Sequence, residues 1–313
     1  MSLAEELEQA AAAVRSQAMT GVVGVGGRWP SGSGLVVAEG VVATSAHNAP
    51  GETVEIHFPD GSRRQATKVT SDLAGDLAAV SVDTQGAAPL TWAARAPELG
   101  TPVFAAANPG GRGPRLSFGV VSAESREFRG PGGRPVTGGF EHTAPLPHGA
   151  SGGPVLNLAG QLLGINTKRL GEGLYAALLA DQPLRERIDA LSRGEHPTRA
   201  YLGVGVLPGE VARRLRAAVG LPEQDGLLVR HLDAEGPAAQ AGVLRGDLLT
   251  SLDGSGLGRA SDIHRVLAGH KPGDGLELEL IRGTDQLRLR VTLGAEPEGE
   301  AAPHRRHHSH QGR

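Results

Sequence analysis

Gly149-Ala150-Ser151-Gly152-Gly153-Pro154 is the stretch on which the fold of this chain turns. Small residues on both sides of a serine let the backbone turn tightly, expose Oγ and aim N–H groups at a nearby oxyanion. The same letters satisfy G-x-S-x-G, the nucleophile elbow of an α/β-hydrolase, which needs a strand before the serine and a helix after it. Here Gly153-Pro154 leads into Val155-Leu156 and then Gly160-Gln161-Leu162-Leu163-Gly164-Ile165, so the serine sits in a turn between strands. The hydrolase order Ser, Asp, His would also have to draw its partners from a separate downstream segment. A circular-dichroism spectrum of residues 21–192 dominated by helix would favour that rival.

Outward from this turn the pattern is short and strand-like. Val22–Val25, Leu35–Val37, Val41–Ser45, Val54–Phe58, Leu77–Val82, Val103–Ala106, Leu116–Val121, Pro154–Leu156 and Leu162–Thr167 are apolar runs of strand length. Turn signals such as Pro59-Asp60-Gly61 and Gly110-Gly111 separate many of them. Val54-Glu55-Ile56-His57-Phe58 alternates, which puts Glu55 and His57 on the outer face. Many short strands with Gly-rich turns mean a sandwich or a barrel. Asp181 caps the first clear helix after them, with Leu184, Ile188 and Leu191 on one face and Gly194 as the stop.

A serine nucleophile needs a general base and an acid to orient it. Upstream, Thr44-Ser45-Ala46-His47 ends the apolar strand Val41-Val42-Ala43, and Asp76 heads Leu77-Ala78-Ala79-Val80. His47, Asp76 and Ser151 then follow in that order.

Length and composition bound the rest. At 313 residues the chain suggests about two domains. It holds 31 basic against 34 acidic residues, a net charge of −3, which argues against a phosphate-neutralising nucleic-acid binder. Cysteine is absent, so disulfides, cysteine-ligated metal and a thiol nucleophile are excluded. No run of 18 strongly apolar residues exists to span a membrane. The N-terminus, Met1-Ser2-Leu3-Ala4-Glu5-Glu6-Leu7-Glu8, is acidic where a signal peptide would be basic. It reads as a helix with a Ser2/Glu5 capping box and with Leu3, Leu7 and Val14 on one face, and the chain as written reads as cytoplasmic. The expected organisation is an N-terminal extension (1–20), a first domain (21–192), a polar linker (193–200), a mixed α+β domain (201–293) and a disordered tail (294–313). The tail's His304, His307, His308 and His310 read as solvated rather than metal-binding.

Six motifs in sequence resemble a bacterial HtrA (Deg) serine protease, a trypsin-like double β-barrel followed by a PDZ domain. They are Gly32-Ser33-Gly34-Leu35-Val36-Val37, Ala46-His47, Asp76-Leu77-Ala78, Asn108-Pro109-Gly110, the Ser151 turn and Leu163-Gly164-Ile165-Asn166-Thr167. The resemblance implies two six-stranded barrels, with Ser151 attacking, His47 as general base and Asp76 holding the imidazole tautomer. The Gly149 and Ser151 amides would form the oxyanion hole. Ile165, Asn166, Thr167 and Tyr175 align with walls of the S1 pocket, and cleavage after small or medium apolar residues is expected. Neither a cofactor nor a metal is implied. The departures are Ala150 where the family usually has Asn, His148 where it often has Pro, and Thr143 where it often has Asp. Ala150 removes a source of rigidity from the loop.

Tyr201-Leu202-Gly203-Val204 resembles the carboxylate-binding loop of family PDZ domains. Pro237-Ala238-Ala239-Gln240-Ala241-Gly242-Val243 with Gly246-Asp247 resembles their signature segment. A peptide C-terminus would pair along Gly203–Leu207, with Ile263, Val266 and Leu267 lining the other wall. Implied partners are unfolded polypeptide substrates and peptide C-termini, in a homotrimer engaged in protein quality control. Members are commonly exported, which sets the resemblance against the cytoplasmic N-terminus. The rival function is a PDZ-led binding or chaperone protein in which proteolysis is lost or incidental.

Overall fold

The computed structural model describes residues 2–26, 31–84, 86–129, 135–171, 173–196 and 198–296. Apart from residues 133–135, the chain divides into two compact units between Pro197 and Thr198.

The first unit opens with helix α1 (Leu3–Gln17), whose Ser2 and Glu5 form the expected reciprocal cap. Strands β1 (Val22–Val25), β2 (Gly32–Ala38), β3 (Val41–Thr44), β4 (Glu55–His57), β5 (Arg63–Gln65), β6 (Lys68–Asp72) and β7 (Leu77–Ser81) follow. They make one antiparallel sheet in the order β5-β4-β1-β2-β3-β7-β6. Next come β8 (Pro102–Ala107), β9 (Arg115–Arg129), β10 (Pro135–His142), β11 (Pro154–Leu156), β12 (Leu162–Gly171) and β13 (Leu174–Leu179). These close into a barrel in the order β10-β13-β12-β11-β8-β9.

The closed six-stranded barrel is as expected. The other half carries seven strands instead of six. Neither β5 nor β6 shows an apolar run, because β5 is largely exposed and β6 turns Thr70 and Asp72 inward. His57 also departs from its expected place on an outer face. It is 7% exposed, since Gly111 packs onto its ring so closely that a Cβ there would stand 2.4 Å from the His57 Cβ.

With so few aromatics the core is aliphatic. One cluster joins Val14 of α1 to Leu35, Leu77, Phe104, Leu156, Leu162, Ile165 and Leu178. Helix α2 (Gln182–Ser192) adds Leu184, Ile188 and Leu191, and its N-cap Asp181 accepts from Leu184 N at 2.8 Å. Burying each such side chain contributes roughly 1.5–3 kcal/mol.

The second unit holds β14 (Ala200–Tyr201), β15 (Val204–Leu207), α3 (Gly209–Ala218), β16 (Leu227–Leu232) and α4 (Pro237–Gln240). It continues with β17 (Leu248–Leu252), β18 (Ser255–Gly256), α5 (Ala260–Leu267), β19 (Gly275–Arg282), β20 (Asp285–Thr292) and β21 (Gly294–Ala295). Its main sheet runs β15-β16-β17-β19-β20, which leaves one edge of β15 open. Two expected boundaries shift, because Ala200 pairs with Ala295 and Tyr201 with Gly294. Ala200 therefore leaves the linker, and Gly294 and Ala295 leave the tail. The four tail histidines lie outside the described residues.

Candidate active site

His47 stands on the single helical turn Ala46–Asn48 that follows β3. Asp76 sits in the turn before β7 with φ +49, in the left-handed region that Asp and Asn enter more readily than other non-glycine residues. Asp72 holds that turn: its Oδ1 accepts from Gly75 N at 2.9 Å and its Oδ2 from Arg187 Nη2 of α2 at 3.0 Å. The His47 Nδ1 and Asp76 Oδ1 atoms are 2.8 Å apart, and the His47 N–H donates to the same oxygen at 3.3 Å. The Asp76 side chain is 4% exposed and the imidazole 44%. A buried carboxylate thus orients a ring whose far edge faces out.

Ser151 lies in the turn between β10 and β11. Its Oγ donates to the Thr167 carbonyl at 2.8 Å, and no hydrogen bond joins it to His47. The turn is held from several sides. Gly149 and Gly152 adopt φ +83 and +85, conformations that glycine enters at no steric cost. At Gly152 a Cβ would stand 2.2 Å from the Ser33 carbonyl. Ser33 Oγ donates to Gly149 O at 2.8 Å and accepts from Asn108 N at 3.0 Å. Gly152 N donates to Asn166 O at 2.7 Å, and Ala150 N to Pro147 O at 3.3 Å. Among the described residues, nothing accepts from the N–H groups of Gly149 and Ser151. Two free donors beside a half-buried hydroxyl suit a developing oxyanion.

The expected pocket walls sit deeper than anticipated. Ile165 packs in the aliphatic core. Asn166 is 2% exposed and spends its side chain inside the barrel, donating to Gly153 O at 3.0 Å and accepting from His142 Nε2 at 2.8 Å. Tyr175 stacks on His142, with centroids 5.7 Å apart. Burial pushes the His142 pKa down to about 4, so the ring is neutral at ordinary pH and donates through Nε2. Of the four walls Thr167 is the one that hydrogen-bonds Ser151, through its carbonyl. Among the described residues no cluster of acids and histidines could hold a metal ion.

In the second unit Gly203 turns with φ +82 at the head of β15. Val204, Val206, Val266 and Leu267 pack half-buried around the core, and Leu202 and Ile263 are buried within it. Tyr201 reaches back, its hydroxyl 3.4 Å from Asp233 Oδ2. The open edge of β15, a strand that packs on the same core as α5, is the feature β-augmentation needs.

Residues 32–165 match the model of the trypsin-like peptidase domain, and residues 200–293 match that of the PDZ domain. Serine endoprotease DegS of Escherichia coli is 30% identical over 278 residues, covering 85% of this chain and 77% of the relative. The chain belongs to the HtrA/Deg family. A "probable periplasmic serine endoprotease DegP-like" of Halomonas elongata is 31% identical over 278 residues, covering 86% of this chain. This HtrA/Deg chain spans 57% of that relative, little more than half of its length. Among solved structures, the HtrA-type protease AlgW with tripeptide is 26% identical, with a TM-score of 0.63 over 91% of this chain and 97% of that one. The serine endoprotease from Yersinia pestis shares the fold, with a TM-score of 0.67 at 24% identity over 93% of this chain and 98% of that one.

Sequence reading missed several residues of this HtrA/Deg site. Ser33, Thr44, Asn48 and Asp72 are buried polar groups, and Ser33, Asn48 and Asp72 find partners in distant segments. Ser33 lay within a quoted motif, but nothing in the motif says that its hydroxyl meets Gly149. His142 had no signal at all.

Proposed function

We propose that this chain is a serine endopeptidase that cleaves unfolded or misfolded polypeptides through an acyl-enzyme. The observation that carries this is the 2.8 Å His47–Asp76 pair, buried at the carboxylate and open at the imidazole, beside a glycine turn with two free N–H donors. In the proposed sequence Ser151 Oγ swings from the Thr167 carbonyl to His47 Nε2 and attacks the scissile carbonyl carbon. The hydroxyl proton passes to Nε2, and Asp76 stabilises the imidazolium. The Gly149 and Ser151 N–H groups take the oxyanion. Collapse breaks the C–N bond, Nε2 returns the proton to the leaving amine, and water hydrolyses the ester by the same base. A fluorophosphonate that labels Ser151 supports this function. A wild-type chain that resists the reagent would leave the PDZ-led binding protein as the better account.

The segments that the family resemblance places around the S1 pocket, residues 165–167 and 173–176, carry no carboxylate, although the Ile165, Asn166 and Tyr175 side chains themselves turn inward. Casein fragments are therefore expected to end mainly in Val, Ala or Leu. Fragments ending mainly in Arg or Lys would overturn this; Glu172, the nearest acid in sequence, lies outside the described residues.

The proposed PDZ ligand is an apolar peptide C-terminus, paired along Gly203–Leu207 with its carboxylate at the Tyr201–Val204 loop. One added strand and one buried side chain suggest micromolar affinity, about −8 kcal/mol. Amidating the peptide removes the charge and keeps the side chains, so calorimetry should show clearly weaker binding. Equal affinities would remove the carboxylate from the interaction. An exported location and a homotrimer complete the proposal on family grounds; no helix among the described residues is long and apolar enough to cross a membrane.

A further inference from the structure

The proposed base and nucleophile come from different sheets. His47 follows β3 of the seven-stranded sheet, whereas Ser151 precedes β11 of the closed barrel. Their approach is set by what crosses between the sheets, and a misplacement of about 1 Å can cost on the order of 10² in rate. Two hydrogen bonds cross onto one atom, the carbonyl oxygen of Ser151. Ser33 N donates to it at 3.0 Å, and Asn48 Nδ2 at 2.8 Å.

Asn48 is the residue after His47, on the same helical turn. Its side chain is locked. The residue is 3% exposed, Nδ2 also reaches Thr44 Oγ1 at 3.0 Å, and Thr44 Oγ1 donates onward to Ser33 O at 2.6 Å. Gly32 makes the room: a Cβ there would stand 2.1 Å from Asn48 Cγ. Both acceptor positions of the Ser151 carbonyl are thus occupied from the sheet that carries His47. Within the turn itself Ala150 offers no polar side chain, so the restraint comes from outside.

We propose that Asn48 is a positioning residue that ties the nucleophile turn to the helical turn of the general base and so sets Ser151 against His47. This rests on Ser151 being the nucleophile. Asn48 touches no reacting atom. It acts through the Ser151–Gly152 peptide.

The test uses the full chain and N48D, which keeps the shape but turns a donor into an acceptor aimed at a carbonyl. Labelling by a fluorophosphonate at pH 8 should slow by on the order of 10², with kcat on a quenched peptide falling alike and KM unchanged. The introduced carboxyl is buried among oxygens, which raises its pKa. Once protonated it can donate again, so the ratio of N48D to wild-type labelling should rise as pH falls from 8 to about 5.5. Taking the ratio cancels the protonation of His47 common to both. Wild-type labelling by N48D at pH 8 overturns the proposal. So does a deficit constant across pH, or a raised KM with kcat intact. Should N48D fail to fold, Asn48→Ala is read by the same labelling: a folded, slow variant supports the role and a fast one removes it. If neither variant folds, Asn48 is a packing residue and the positioning role falls. A wild type that does not label sinks the endopeptidase function itself, which is a different result from wild type and N48D labelling equally.

Discussion

Ser151→Ala is expected to leave a folded chain whose casein cleavage falls by on the order of 10⁴–10⁶. The chemical loss is large, because the hydroxyl that His47 would deprotonate is gone. The structural loss is small. Oγ makes one hydrogen bond, to Thr167 O at 2.8 Å, and removing such a bond costs about 1 kcal/mol. The turn itself is held by main-chain bonds from Ser33, Gly152 and Ala150 that alanine retains. His47→Ala should fall as far, since base and nucleophile act as a unit. Its ring, 44% exposed, leaves little cavity behind. Cleavage by S151A or near wild-type turnover by H47A, at unchanged melting temperature, would mean the bond is broken elsewhere.

These residues were legible because chemistry restricts them to few types at strand ends. Asp76 heads an apolar run and His47 closes one, and both patterns survive without knowing the fold. The capped helices were legible for a similar reason: Ser2 with Glu5, and Asp181 before Leu184, are local devices complete within four residues. What failed to show depends on distant approach. The strand β6 buries Thr70 and Asp72 on its inner side, so no hydrophobic period marks it. His57 followed its alternation, but only the fold brings Gly111 over it. Asn48 looks like any polar residue after a histidine until Ser151 arrives from 103 residues away. The buried walls Ile165 and Asn166 make the same point in reverse. Their motif was recognised, but their side chains serve the core and the His142 network.

Asp76→Asn separates charge from shape. The aspartate is buried and takes φ +49, a conformation that asparagine also tolerates, so the substitution should barely move the melting temperature. The amide oxygen can still accept from His47, whose main-chain and ring donors converge on one oxygen at 3.3 and 2.8 Å. What asparagine cannot do is balance the positive imidazolium that forms when Ser151 gives up its proton. If its NH₂ faces Nδ1 instead, the ring is forced into the tautomer that cannot accept that proton. Either way kcat at pH 8 should fall by about 10⁴, the cost seen when the same group is neutralised in such triads. Asp76→Ala would confound this, because alanine is disfavoured at positive φ and opens a gap beside the ring. Activity of D76N within tenfold of wild type, on a chain that melts normally, would reduce Asp76 to a structural partner of His47.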